Sequence, residues 1–237
     1  MMINILKRVV FSAIRFNLYL PENKLEVMRE WMSLKRLIDD LGINCVIDVG
    51  ANRGQFARGV RKIGFRGLIL SFEPSRCDFE QLATAFGTDR LWRGFKMALG
   101  DENGDAVLNV IPSLSVMNSL LTPISTRQIE TEIVVVRRLD EVLREELNDL
   151  SGYRFLLKMD TQGFDIKCFR GSIGCHDKIF ALQSEISMRH LYEGMTSYLD
   201  ALALYESAGF KLVLLTVVSR TSAQLIQEMN CQMRRLE

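Results

Sequence analysis

A doubly wound α/β domain is what the sequence predicts, and three observations carry that expectation. Two short apolar runs without polar alternation, Asn44-Cys-Val-Ile-Asp-Val-Gly50 and Gly67 to Phe72, read as strands buried on both faces. Each is followed by a stretch of helical spacing, Gln55 to Ile63 and Asp78 to Phe86. No internal repeat and no Pro/Gly/Ser-rich linker interrupts the 237 residues, so one domain with right-handed crossovers is expected.

The elements follow in order. Glu22 to Leu41 places Leu25, Met28, Trp31, Met32, Leu34, Leu37, Ile38 and Leu41 at helical spacing, and Gly42 is positioned to end the helix. After the βαβα opening the middle changes character. Phe95 to Leu99, Ala106 to Ile111 and Glu132 to Val136 read as short strands, with a turn at Asp101-Glu-Asn-Gly104. The polar stretch Pro112 to Arg127 reads as a loop, and a solvated connection is favoured over a grip on an acceptor for its Ser113 to Ser125 portion. Alternation resumes with a helix from Asp140 to Leu147, a strand Phe155-Leu-Leu-Lys-Met159, a helix from Asp165 and a strand from Ile179 to Ile186. A helix from Tyr198 to Ala208 is closed by Gly209, and Lys211 to Val218 is a strong strand. Gln227 to Arg234 fits helix and strand equally. The division expected is an N-terminal helical segment over 1–41 packed on a domain over 42–237.

Composition excludes several classes. At 48% hydrophobic and 25% charged the chain is an ordinary globular one and not a disordered one. Thirty Lys and Arg against 29 Asp and Glu leave a net charge of +1, which argues against a nucleic-acid partner gripped over a basic face. Cys45, Cys77, Cys168, Cys175 and Cys231 form no CxxC, and only two histidines exist, so reduced thiols in a cytoplasmic protein are expected and a structural zinc is not. Met1 to Leu20 is apolar with Lys7, Arg8 and Arg15 scattered through it. Arg15 breaks any signal-peptide core, and the run is too short to span a bilayer. As a helix it would pack on its own domain or a partner, with peripheral contact to an anionic membrane as the alternative. Oligomeric state is not readable. The methionines read as core filler.

In an open α/β sheet ligands bind beyond the carboxyl ends of the strands. Four such ends carry acids: Asp48, Glu73, Asp160 and Glu185. Gly50 and Gly54 in Asp48-Val-Gly-Ala-Asn-Arg-Gly54 allow a sharp turn into a helix N-terminus, which suits a carboxylate or phosphate. The G-x-x-x-G spacing departs from the G-x-G-x-x-G dinucleotide fingerprint and lacks a P-loop ending. Glu73, closing Leu68-Ile-Leu-Ser-Phe-Glu-Pro74, can accept the hydroxyls of an unphosphorylated ribose, and Pro74 stops the strand beneath it. Together these point to a nucleoside ligand.

These residues resemble the FkbM-type methyltransferases. Val46-Ile-Asp-Val-Gly-Ala-Asn-Arg-Gly54, Ser71-Phe-Glu-Pro74, Ala98-Leu-Gly-Asp101, Arg138-Leu-Asp140 and Leu157-Lys-Met-Asp-Thr-Gln-Gly163 occur in that family's order, followed by Ser184-Glu-Ile-Ser187, Leu191-Tyr-Glu-Gly194 and Ala208-Gly-Phe210. The resemblance covers roughly Cys45 to Val218. It implies a Rossmann-like class I fold, S-adenosylmethionine as donor, and O-methylation of a hydroxyl on a small-molecule or glycan acceptor. By the same carry-over Asp48, Gly50, Ala51, Asn52 and Gly54 would hold the methionine end, Glu73 and Pro74 the ribose, and Ala98 and Leu99 the adenine. Asp160 would face the methionine amine or the acceptor. Gln162 and Asp165 stand where the family more often has Glu, which puts their roles in doubt, and Met1 to Leu41 lies outside the resemblance.

A hydroxyl is a poor nucleophile until its proton has somewhere to go. Asp160, Glu185 and His190 are the candidate bases, with Tyr192 to orient the acceptor; His176 reads as part of a turn. A divalent metal held by Asp160 and Glu185 would do the same work but finds no clear third ligand. Two other readings remain open. An NAD-dependent oxidoreductase would use the same loop and Glu73, and a non-catalytic nucleoside-binding module would keep Asp48 and Glu73 while leaving the acceptor side featureless.

Overall fold

The structure is a computed structural model and describes residues 22–125 and 128–236. The expected helix over Met1 to Leu20, with its membrane alternative, lies outside the described residues. Helix α1 (Glu22–Asp40) precedes β1 (Cys45–Val49), α2 (Gln55–Lys62), β2 (Leu68–Phe72), α3 (Arg76–Phe86) and β3 (Trp92–Phe95). Then come β4 (Ala98–Leu99), β5 (Gly104–Val110), β6 (Glu130–Arg137), α4 (Leu139–Leu147), β7 (Phe155–Met159) and α5 (Asp165–Arg170). Strand β8 (Ile179–Ser187), α6 (Tyr198–Ser207), β9 (Phe210–Arg220) and β10 (Ile226–Arg235) complete the chain.

Seven strands form the main sheet in the order β3-β2-β1-β7-β8-β10-β9, all parallel except β10, which is antiparallel to both neighbours. The strand order reverses between β1 and β7. That switch point opens a crevice at their carboxyl ends. The doubly wound expectation is met, and the ambiguous tail from Gln227 to Arg234 resolves as β10, an inner strand of a hairpin with β9. A single-residue rhythm cannot show this, because β10 is half-buried or buried along both faces with no alternation.

The expected strand Phe95 to Leu99 divides in two. Phe95 closes β3 at the edge of the main sheet, where its carbonyl accepts from the Glu73 amide. Ala98 and Leu99 turn away and pair with β6 in a separate three-stranded sheet, β4-β6-β5. Helix α3 begins at Arg76, two residues before the expected start, because the Ser75 hydroxyl accepts from the Asp78 amide as an N-cap.

Helices α1, α2 and α3 cover one face of the main sheet and α4, α5 and α6 the other. Leu34, Leu37 and Ile38 of α1 pack with Val46, Ile69, Leu156 and Ala181 beneath α2 and α3. One register step toward the carboxyl ends, the same face carries polar residues in a row: Ser71, Asp48, Lys158, Gln183 and Gln232, each opposite the next across five strands and all buried. The Glu30 carboxylate of α1 meets this layer. It accepts from Gln183 Nε2 at 2.8 Å, Thr216 Oγ1 at 3.1 Å and Asn230 Nδ2 at 3.1 Å, while its backbone oxygen accepts from Gln232 Nε2 at 3.1 Å. Helix α1 is thus fastened to the core by both apolar and polar contacts.

If α1 belongs to the same cooperative unit as the sheet, Leu34→Ala, a buried position, should lower global stability by about 2–5 kcal/mol. Urea unfolding followed by far-ultraviolet dichroism would check this. An unchanged midpoint would mean that α1 unfolds separately.

Candidate functional site

The β1–α2 turn is built by conformations few residues adopt. Gly50 sits at φ +71°, where an added Cβ would lie 2.0 Å from the Asp160 carbonyl oxygen, so the two central strands approach as closely as backbone allows. Asn52 follows at φ +47°. Its amide donates to Glu73 Oε2 at 2.7 Å, and the Ser75 amide donates to Glu73 Oε1 at 2.9 Å. Glu73 is therefore held by its own loop and by the neighbouring one, and burial pushes its carboxyl up to about 7 against these two bonds.

Beside the turn lies a cavity of about 330 Å³, within the usual size range of small-molecule sites. Gly50, Ala51, Asn52, Glu73, Pro74, Ala98, Leu99 and Asp160, all expected at the site, line it. Met97, Leu108, Leu120 and Phe164 make the region around Ala98 and Leu99 an apolar slot. Helix α2 begins at Gln55 with no side-chain cap and no acid in its first turn, leaving its amides and positive dipole end beside the cavity.

Several expected residues stand elsewhere. Asp48 is fully buried beneath the cavity and does not line it; its partner among the described residues is Lys158, with Nζ 3.0 Å from Oδ1. Lys158 lines the cavity in its place. Its Nζ also donates to the carbonyl oxygens of Gly50 at 3.1 Å and Val49 at 3.3 Å and lies 3.7 Å from Asp160 Oδ2. Burial would lower the lysine, but Asp48 and Asp160 outweigh it and raise it, so it stays a cation; burial raises Asp48 against the pull of that same cation. A lysine inside an apolar strand was the available signal, since such a cation demands an acid on an adjoining strand.

Gly54 caps α2 and faces α3 instead of the cavity; a Cβ there would meet Phe86 and Leu82 at 2.6 and 2.9 Å. His190 is exposed and outside the cavity lining. Tyr192 is buried behind the site, its hydroxyl 3.0 Å from both the Met117 carbonyl oxygen and Gln162 Oε1. Gln162, at φ +53°, donates through Nε2 to Glu185 Oε2 at 2.8 Å and to Asp160 Oδ1 at 3.2 Å. Glu185 thus touches the site through Gln162. Burial, with Asp160, Glu228 and Asp165 nearby, raises its carboxyl well above the usual range. Asp165 is buried and accepts from the Thr161 amide, the Thr161 hydroxyl and the Ser184 hydroxyl, so it anchors the turn carrying Gln162. Among the described residues no group of three or more His, Cys, Asp or Glu side chains could hold a metal ion.

The segment expected as a solvated connection closes over the cavity. Ser115, Val116, Asn118, Ser119 and Leu120 line it. Asn52 Nδ2 donates to Ser115 Oγ at 3.1 Å and Ser119 Oγ donates to the Gln162 carbonyl oxygen at 2.8 Å. These long-range bonds, absent from any local pattern, hold it down. On the opposite side Glu30 and Trp31 of α1, with Gln183 and Asn230, complete the lining.

Residues 48–212 match the family described as Methyltransferase FkbM domain. The chain belongs to the FkbM methyltransferase family. An rRNA methylase from Streptococcus thermophilus is similar in structure at 10% identity, with a TM-score of 0.50, covering 89% of this chain and 96% of that one. So is a Listeria monocytogenes protein described as an S-adenosylmethionine dependent methyltransferase, at 8% identity and a TM-score of 0.50, covering 88% and 98%. At such identities the likeness speaks to the fold. No curated protein matches the sequence. Family and fold are those of an S-adenosylmethionine-dependent methyltransferase. The residues present fit that cofactor: a cradle at Gly50 that excludes a Cβ, an acid at Glu73 with lone pairs to spare, and an apolar slot at Ala98 and Leu99.

Two outcomes test the site's electrostatics. Lys158→Met strands a buried carboxylate and should cost about 3–5 kcal/mol of stability, most of it recovered when Asp48→Leu is added. Urea unfolding of the three proteins checks both. Glu73 keeps its proton to about pH 7 when folded, whereas an ordinary carboxyl loses it near 4.5. Stability from this group is therefore present below about 4.5 and is lost as the pH rises to about 7, on the order of 3 kcal/mol in all. Wild-type and Glu73→Gln stabilities measured across that range should converge on this slope difference; parallel curves would contradict it.

Proposed function

We propose that the protein transfers a methyl group from S-adenosylmethionine to a hydroxyl of a sugar, glycolipid or other natural product. The observation that carries this reading is Asp160, a carboxylate with 43% of its side chain exposed, standing in the cavity beside the Gly50 turn. When bound, S-adenosylmethionine supplies a methyl group already activated by a positively charged sulfur. The chain's own task is to align the acceptor and to take its proton. Glu73 accepts the ribose hydroxyls, Ala98 and Leu99 flank the base, and the turn from Gly50 to Asn52 with the free α2 amides receives the amino-acid end. Asp160, which lines the cavity, accepts the hydroxyl proton on its carboxylate. Gln162 holds that carboxylate in place and is itself held by Glu185 and Tyr192, so these two act as positioning residues. His190, exposed and apart, takes no role.

The near-balanced charge supports an acceptor other than nucleic acid, and a carboxylate base beside the cavity supports O-methylation of a neutral hydroxyl. Five free cysteines support a reducing, cytoplasmic setting. Among the described residues no helix is long and apolar enough to cross a membrane.

Calorimetry with S-adenosylhomocysteine and NAD tests the reading. The demethylated cofactor should bind in the micromolar range, roughly −8 kcal/mol, NAD should not bind, and Glu73→Ala should lose most of the affinity. Binding of NAD alone would send the reading to a hydride-transfer enzyme. With an acceptor found by screening glycosides and glycolipids, Asp160→Asn should lower kcat by about 10²–10⁴-fold while leaving S-adenosylhomocysteine affinity nearly unchanged.

A further inference from the structure

Helices α1 and α2, on one face of the sheet, carry an outward surface that the cavity does not use. Helix α1 buries Leu34, Leu37 and Ile38 and leaves Leu25, Met28 and Met32 exposed, at 38%, 53% and 51%. Spacings of three and four residues put these three on a single stripe opposite the buried one. A stripe of large apolar side chains in water, on a helix already fastened to its core, marks an interaction surface.

Helix α2 lies beside α1. Trp31 of α1 stacks on Phe56 of α2 with centroids 5.6 Å apart, and its ring covers Gly59, where an added Cβ would lie 2.2 Å from Cη2. Between Asp48 and Glu73 the chain holds Arg53, Arg58, Arg61, Lys62 and Arg66 and no acid. Arg53 and Arg61 are paired with Asp78 and Asp89. Arg58, Lys62 and Arg66 are exposed, and among the described residues no carboxylate pairs with them. The side-chain bonds of Arg58 and Arg66 go to backbone carbonyl oxygens. On α1 the acids Glu26 and Asp39 are engaged by Arg29 and Lys35. The outward surface is thus apolar along α1 and cationic along α2, in a chain whose net charge is only +1.

The sequence leading into this surface has the same character. Met1 to Leu20 holds Lys7, Arg8 and Arg15 and no acid among mostly apolar residues. Pro21 joins it to the end of α1 that carries Leu25 and Met28.

Three kinds of partner could cover such a surface, and their chemistry separates them. A second copy would set these cations against their own equivalents across a two-fold axis. A nucleic acid would take the cations but leave three large apolar side chains in water. An anionic bilayer takes both, the apolar side chains at the acyl boundary and the cations among the headgroups. It also needs both, because one weak anchor gives only marginal attachment.

We propose that the outward face of α1 and α2 docks the protein on an anionic membrane surface, with Leu25, Met28 and Met32 entering the interface and Arg58, Lys62 and Arg66 meeting the headgroups. The inference stands apart from the methyl-transfer reading, since none of these six residues lines the cavity. It sets a membrane beside the cavity, to whose lining the same two helices give Trp31 and Phe56.

The full chain is sedimented with vesicles of phosphatidylcholine alone and with vesicles of an equal mixture of phosphatidylcholine and phosphatidylglycerol. Saturable binding to the mixed vesicles is expected, weakening as salt is added and about tenfold or more weaker on phosphatidylcholine alone. Arg58→Gln, Lys62→Gln and Arg66→Gln together should weaken binding to the mixed vesicles by about tenfold or more. Leu25→Gln, Met28→Gln and Met32→Gln together should do the same, and both variants should keep the wild-type melting midpoint because all six positions are exposed. Absence of binding to the mixed vesicles would overturn the proposal, as would equal binding to the uncharged ones. Undiminished binding by either folded variant would overturn it too, moving the contact to another part of the chain. A single-stranded RNA oligonucleotide is titrated in parallel; tighter binding there, lost with the three cations, would replace the bilayer with a nucleic acid. If one triple variant unfolds, the other and the comparison of the two vesicle types decide.

Discussion

The ion pair between Asp48 and Lys158 joins the two strands on either side of the topological switch point. Both side chains are buried, so neither charge could be kept without the other. The lysine does more than neutralise. Its ammonium group reaches the carbonyl oxygens of Val49 and Gly50 and approaches Asp160, so one side chain ties together the end of β1, the cofactor turn and the exposed carboxylate beyond β7. Gly50 must be glycine because the Asp160 backbone lies against it. The distance between cofactor turn and base is thereby set by backbone contact and a buried charge pair, both stiffer than a loop.

Around that centre the polar layer of the sheet serves two ends. Toward β2 and β3 it meets Ser71 and the Trp92 indole, which donates to Ser71 Oγ at 3.0 Å. Toward β8 and β10 it becomes the amides of Gln183 and Gln232, which with Asn230 seat Glu30 of α1. An acid from a helix remote in sequence is held by neutral donors instead of a cation, which leaves the neighbouring cavity negative. The same contacts that fasten α1 place Trp31 on the lining. Stability of the helix and shape of the site are here one set of interactions.

The site's carboxylates divide by environment. Asp160 is open to the cavity, while Glu185 is half-buried and reaches it only through Gln162. Glu73 is buried but bonded by two amides. Such differences decide which acid can take a proton from an acceptor and which can only hold a neighbour in place. Position at a strand end alone does not distinguish them: all four acids were visible there in the sequence, and Asp48 proved to lie inside its strand with its partner already supplied.

Local chemistry by itself determined much. The apolar runs, the helical spacing of Glu22 to Leu41, the glycine turn after β1 and the acid after β2 are each dictated within a few residues, because strand burial, helix periodicity and positive φ are local demands. The ordered motifs from Val46 to Phe210 identified the family for the same reason. What only the tertiary structure decided depends on contacts between distant residues. It split Phe95 to Leu99 between two sheets, made β10 an inner strand, brought Ser115 to Leu120 over the cavity, turned Gly54 toward α3, and set Lys158 and Trp31 on the lining. None of these leaves a periodic trace, because each is fixed by the register of strands and the packing of helices that are neighbours in space and not in sequence.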